Sequence, residues 1–287
     1  MNWCRCLGTD GAVIKLDYVG SYICDHVVRN NGSTKSVSNK LNNLRNYVIS
    51  NGHSWLTELE TRKLNEIVKQ LKYVDISEGN RKRPLQIRHL RRIYSGMNVT
   101  NANDLLEAAM LYVGHDGLFR SGELTSGIQV ADVFWNANRR TVFIWLDRTK
   151  TVCEGPGIWI RLDRYHPVMC GVSLLRKWYD LMNLWDKYEA YVFPKYTFHR
   201  TFDWRTPMSY NSLVVRIKTA VKKIKLPARE YAGHSLRAGG ATDLFVANIP
   251  WPVIKKMGRW KSNAGLIYYR DEEHVAEQVQ EGFRACL

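Results

Sequence analysis

Apolar positions in the first third of the chain recur at helical intervals. Residues 12–29 are broadly apolar with a weak helical period. From Lys35 to Ser50, Leu41, Leu44 and Val48 share one face, and Gly52 follows as a stop. Thr57 and Glu60 stand at capping-box spacing, with Leu59, Leu64, Ile67 and Leu71 forming an apolar stripe behind them. Such stripes are what helices need to bury against one another, so they predict a small helical bundle whose leucines are core and carry no chemistry.

The pattern breaks between residues 75 and 92, where EGNRKRPLQIRHLRR combines Gly79, Pro84 and six Lys or Arg residues. Residues 78–83 read as a basic linker, with Pro84 in the first turn of a new helix. Asn103 then opens a helix through Leu105, Leu106, Ala109 and Met110 that ends near Gly117. After it the period shortens. Thr141–Leu146 (TVFIWL) and Gly157–Leu162 (GIWIRL) are β-branched and aromatic runs, separated by DRTKTVCEGP. They predict a small antiparallel sheet with Lys150 in or near its turn. Helical patterns return over 172–189, 209–224, 235–247, 250–257 and about 263–270, and 271–287 reads as one more helix. The expected fold is mainly α, of the α+β kind. A helical domain over 1–77 precedes a larger, mostly helical domain over 84–287 that holds the sheet.

Charge changes the picture. The 287 residues carry 42 Lys and Arg against 27 Asp and Glu, a formal net charge of +15. That excess favours a polyanionic partner, either nucleic acid or an acidic membrane surface. No run approaches the roughly 18 apolar residues of a membrane span, and MNWCRCLGTDG lacks the apolar core of a signal peptide. The six cysteines are scattered, and Cys4 and Cys6 are too close for the usual metal spacing. They read as free thiols in a reducing compartment, cytoplasmic or nuclear, and no metal site is expected. Arg81, Lys82, Arg83, Arg88, Arg91 and Arg92 are suited to lie along a DNA backbone, exchanging condensed counterions for protein cations. The same run fits a nuclear localisation signal or a solvated face.

Three short segments hold the candidate chemistry: FRSGEL at 119–124, GHSLRAGGAT from Gly233, and GRWKSNAGLIYYR ending at Arg270. Attack on a phosphodiester by a side-chain hydroxyl requires charge stabilisation on the non-bridging oxygens. It also requires a proton acceptor for the nucleophile and a proton donor for the leaving oxygen. Arg120 and Arg237 suit the first task because a guanidinium grips two phosphate oxygens and stays charged. Glu123, three residues after Arg120, is placed to orient its guanidinium. His234 shares a helix side with Arg237 and is a candidate proton acceptor, while Lys150 on a hairpin tip is a candidate acid. The small residues Ala238-Gly239-Gly240-Ala241 permit close approach of another backbone. Tyr268 and Tyr269, adjacent on a helix, point about 100° apart, so only one can face a phosphate.

In this order, FRSGEL, the RTKT hairpin, HSLR and GRW…Y resemble the catalytic domain of tyrosine recombinases, the phage-integrase superfamily. The HSLRAGGAT and GRWKSNA wording is especially similar to the recombinases of Crypton and DIRS-type mobile elements. The resemblance spans roughly residues 84–287; the N-terminal bundle is similar to the family's core-binding domain only in position and helical character. It implies that Arg120 and Arg237 clamp the phosphate, Lys150 acts as general acid and His234 is the first histidine of the catalytic set. Trp260 then falls where many members have a second histidine, as in the Cre-like branch, where a tryptophan donates its indole N–H to the phosphate. The alternative for Trp260 is core packing. Tyr268 is the expected nucleophile and Tyr269 the second choice.

The implied activity is site-specific recombination of double-stranded DNA through a 3′-phosphotyrosine, without cofactor or metal. The implied working form is a dimer or tetramer on DNA, with residues 272–287 a candidate exchanged helix. Two other readings stand beside it. One is a related topoisomerase, a kind that usually carries Lys where this chain has His234. The other is a domesticated DNA-binding protein that has lost catalysis.

Overall fold

The computed structural model describes residues 16–24, 34–74, 82–125, 127–147 and 157–268. The chain divides into two compact units between Arg81 and Lys82. In the first unit three helices are described: α1 (Leu16–Cys24), α2 (Thr34–Ser50) and α3 (Glu58–Val74). Their common core is Val19, Ile23, Val37, Leu41, Leu56, Leu64 and Val68. Gly52 ends the α2 segment with φ +77, the left-handed conformation that a side chain disfavours. The capping box forms as expected: Thr57 N–H donates to Glu60 Oε2 at 3.0 Å, and Glu60 N–H to Thr57 Oγ1 at 3.3 Å. Leu59 is a correction. It is 64% exposed, because the buried stripe of α3 runs through Leu64 and Val68 and leaves Leu59 on the opposite side.

The second unit is built around α5 (Ala102–Asp116), every residue of which from Leu105 to His115 is buried. Asn101 caps it by accepting from Asn103 and Asp104 N–H. Against α5 pack α4 (Ile87–Ser95), α7 (Gly171–Met182) and α9 (His234–Val246). The remaining helices are α6 (Ser121–Thr125), α8 (Tyr210–Lys223) and α10 (Trp251–Met257). An antiparallel sheet is ordered β1 (Val133–Trp135), β2 (Thr141–Leu146), β3 (Ile158–Asp163). Val142, Ile144, Leu146, Ile160 and Leu162 turn into the core from one face, as alternation requires. Among the described residues, no helix is long and apolar enough to cross a membrane. Cys170 is a free thiol and caps α7, accepting from Ser173 N–H.

The close packing anticipated for Ala238–Ala241 is explicit. A Cβ on Gly239 would lie 2.0 Å from the Leu85 carbonyl oxygen, and one on Gly240 would lie 2.3 Å from that of His115. Bare backbone lets α9 approach both segments.

Several elements differ from the sequence pattern. Pro84 is not in a helix. Arg83 N–H donates to Glu230 O and Leu85 N–H to Ser235 O, so residues 83–85 run along the 230–235 segment. The helix begins at Ile87, whose N–H is taken by the Asp243 carboxylate at 2.6 Å. The 172–189 pattern stops at Met182 because Asn183 turns left-handed at φ 49. Leu184 remains fully buried from the loop beyond, which is why the apolar period continued past the helix end. In place of a helix over 263–270, Asn263–Tyr268 is a 3-10 turn. The strand β1 and the hairpin of β4 (Pro194–Tyr196) with β5 (Phe202–Pro207) had no sequence signal, being short or interrupted by Pro and polar residues.

Candidate active site

Three stretches far apart in sequence meet at one place. The first leaves α5 at Gly117, turns through Leu118 at φ 48, buries Phe119 and presents Arg120. Glu123, on the first turn of α6, holds Arg120 twice. It accepts the Arg120 N–H at 2.8 Å and Nη1–H at 2.6 Å. Arg120 Nη2 also reaches the carbonyl oxygen of Arg259, at 3.4 Å.

The second stretch is the start of α9. His234 opens the helix on the exposed side, and Arg237, one turn later, is 2% exposed. Arg237 donates Nη1–H to Leu118 O at 2.6 Å and Nη2–H to Gly258 O. Burial lowers its pKa to about 9, helped by the charges of Arg120 and Arg259 and opposed by Glu123 and Tyr268. It therefore remains charged at neutral pH, and the Tyr268 phenol is close enough to act on it.

The third stretch follows α10. Gly258 and Arg259 form a tight turn, Arg259 at φ 58, and Trp260 folds back over the site. The Trp260 ring lies 4.2 Å from the Arg237 guanidinium carbon, a cation–π contact. It also packs against Trp251 at 5.8 Å and Tyr268 at 5.7 Å between ring centroids. Gly258 and Gly265 make room for it: a Cβ on Gly265 would sit 2.6 Å from the indole. Tyr268 closes the 3-10 turn, and its carbonyl oxygen accepts from the Thr242 hydroxyl at 2.7 Å.

Of the residues expected in the site, Arg120, Glu123, Arg237, Trp260 and Tyr268 are gathered here, and His234 stands at the helix start one turn from Arg237. Lys150, Tyr269, Arg81 and residues 272–287 lie outside the described residues. The basic run is partly engaged within the unit. Lys82 Nζ donates to Arg229 O, Arg83 pairs with Glu230 at 2.7 Å, and Arg92 donates to Ile224 O. Arg88 and Arg91 are exposed on α4.

The sequence reading assigned nothing to Arg259, which is buried and donates to Glu123 Oε2 at 2.7 Å. Two guanidiniums, those of Arg120 and Arg259, thus hold one carboxylate, and the charge of that carboxylate also acts on a third, Arg237. Burial pushes the Glu123 carboxyl up, but Arg259 and Arg120 outweigh it and hold the pKa below the usual carboxylate range. Positive charge in excess of local carboxylate is the electrostatic form of an anion site. Also unforeseen was a buried support behind α9. His115 lies between Asp116 at 2.9 Å and Asp243 at 2.8 Å. Asp116 also accepts Gly171 N–H, which ties in α7. Neither Arg259 nor His115 is singled out by its local sequence, since Glu123 lies 136 residues from Arg259 and Asp243, the partner that completes the pair about His115, lies 128 residues from it.

The phage integrase family model matches residues 83–275. An "Integrase/recombinase xerD homolog" from Selenomonas ruminantium is 28% identical over 173 residues, covering 60% of this chain and 48% of that protein. The chain therefore spans about half the length of this curated relative. Among solved structures, the XerH site-specific recombinase bound to palindromic difH substrate, a post-cleavage complex, superposes with a TM-score of 0.62 at 15% identity. That match covers 92% of this chain and 70% of the other. A lambda integrase dimer bound to a COC′ core site gives a TM-score of 0.57 at 17% identity, covering 91% and 81%. At these identities the structural likeness speaks to the fold.

Proposed function

Because the chain belongs to the phage integrase family, we propose that it is a tyrosine recombinase that cuts and rejoins duplex DNA through a 3′-phosphotyrosine. The observation that carries this reading is the linked set of Arg120, Arg237, Trp260 and Tyr268 from three separate segments: Arg120 is held by Glu123 and the Arg259 carbonyl, Arg237 spans Leu118 O and Gly258 O, and Trp260 packs on both Arg237 and Tyr268. Arg120 and Arg237 grip the non-bridging oxygens of the scissile phosphate and stabilise the charge that builds in the transition state. The Tyr268 phenolic oxygen attacks phosphorus, forming a P–O bond as the bond to the 5′-oxygen breaks. His234 takes the phenolic proton, and Lys150 supplies a proton to the departing 5′-oxygen. Attack by a 5′-hydroxyl from another strand reverses these steps and releases the tyrosine. The bond energy is kept in the phosphotyrosine, so the exchange needs no nucleotide cofactor.

Trp260 contributes by stacking on Arg237 and packing against the Tyr268 ring, in keeping with Tyr268 as the nucleophile. The wording of the HSLRAGGAT and GRWKSNA segments supports placement among Crypton and DIRS-like recombinases, with integration or excision of a mobile element as the reaction. Duplex DNA is the partner, the working form is a dimer or tetramer on that DNA, and residues 272–287 are the segment that reaches a neighbour.

The test starts by selecting bound duplexes from a random pool, then placing a nick in the winner so that a cut strand diffuses away. Wild type should accumulate a covalent protein–DNA adduct. Tyr268→Phe should lose it and Tyr269→Phe should keep it; the reverse result moves the nucleophile to Tyr269. Efficient relaxation of random supercoiled plasmid would favour a topoisomerase, and binding without any adduct would favour a silent DNA-binding protein.

A further inference from the structure

Strand transfer as set out above has no task for Arg259, yet the chain goes to some length to bury it. The residue adopts φ 58, a left-handed conformation that a non-glycine residue disfavours, and this turns its side chain inward. Burying a guanidinium is costly unless its donors are met. Here Nη1 donates to Gly117 O at 3.1 Å and Met257 O at 3.0 Å. Nη2 donates to Leu118 O at 2.9 Å and Glu123 Oε2 at 2.7 Å. The Nε atom is buried with no partner among the described residues, a further cost.

Three of those four acceptors belong to residues 117–123, the segment that presents Arg120. The contact is reciprocal, because the Arg259 carbonyl oxygen accepts from Arg120 Nη2. Arg120 is therefore held on one side by Glu123, whose second oxygen Arg259 fixes, and on the other by the Arg259 backbone. Arg237 crosses the same gap, joining Leu118 O to Gly258 O. An apolar side chain of similar volume would fill the space, but it would leave one Glu123 oxygen without its cationic partner, the Gly117 carbonyl without the Arg259 donor and the Leu118 carbonyl with Arg237 alone.

We propose that Arg259 is a positioning residue that sets the register between the segment carrying Arg120 and the segment carrying Trp260 and Tyr268. The inference rests on the strand-transfer reading only in naming those residues as the groups positioned. Misplacement of a reacting group by about 1 Å costs about 100-fold in rate, so the side chain governs cleavage rate more than DNA affinity.

The test uses the full chain and two variants, Arg259→Met and Arg259→Lys. Amide hydrogen exchange without DNA reads the register directly, since the Arg120 N–H is bonded to Glu123. Arg259→Met should accelerate exchange in peptides spanning 117–124 and 257–266 while peptides of β2 and β3 stay as in wild type. Arg259→Lys, which retains a charge for Glu123, should recover part of the protection. On the selected nicked duplex, Arg259→Met should bind within about twofold of wild type and form adduct about 100-fold more slowly. Exchange unchanged in both segments, exchange raised throughout the unit, or a rate that falls only in step with affinity each overturns the proposal. If wild type forms no adduct, the strand-transfer reading fails, and the exchange measurement alone decides the role of Arg259.

Discussion

Raising the pH should loosen the support behind the candidate active site through a single buried histidine. His115 is enclosed, with Nδ1 at 2.9 Å from Asp116 and Nε2 at 2.8 Å from Asp243. Burial alone would push its pKa down from the ordinary 6.5, but hydrogen bonds and charges from both aspartates outweigh it and raise the value to about 9. A group whose pKa is raised on folding binds its proton more tightly in the native state. Its stabilisation is full below 6.5 and is lost as pH climbs from there through about 9. At roughly 1.4 kcal/mol per pH unit, the gap corresponds to about 3 kcal/mol. The consequence is local as well as global. Asp243 also receives Ile87 N–H and Gln86 Nε2, and it sits on α9 six residues beyond Arg237. The measurement is urea unfolding at pH 6 and pH 9.5, followed by tryptophan fluorescence, for wild type and His115→Gln. Wild type should lose about 3 kcal/mol more than the variant between the two pH values. Identical pH dependence in the two proteins would refute the reasoning, because groups other than His115 titrate alike in both.

Two glycines make opposite predictions. Gly239→Ala drives a methyl group onto the Leu85 carbonyl and should destabilise by about 3 kcal/mol or more, whereas Gly122 has nothing within 4 Å of a new Cβ. Gly122→Ala should be neutral or stabilise by up to about 1 kcal/mol through helix propensity; thermal unfolding of both variants checks the pair. With a net charge of +15, affinity for a selected duplex should fall by about 1,000-fold or more between 50 and 200 mM salt. Titration by fluorescence anisotropy reads this, and a flat response would contradict binding through phosphate contacts.

The legibility of this protein follows the range of the interactions involved. The α3 capping box and the β2–β3 pairing were readable because each is set by residues close in sequence or by a simple alternation. Arg120, Arg237 and Tyr268 were readable as chemical types in an ordered series. The helix end at Met182 was not, because Leu184 keeps its burial from a loop and so imitates a continuing period. Pro84 was misplaced for a similar reason: the helix start at Ile87 is decided by Asp243, 156 residues away.

The amino-acid order by itself determined a mainly helical chain with one small sheet, a strongly basic surface and a set of side chains suited to phosphodiester chemistry. Only the tertiary structure decided how those side chains are held. Arg237 is bonded to a carbonyl 119 residues distant, and Arg259 to a carboxylate 136 residues distant. A guanidinium in a turn reads as a solvated cation until the fold brings a buried acceptor to it, and that acceptor is what made Arg259 part of the site.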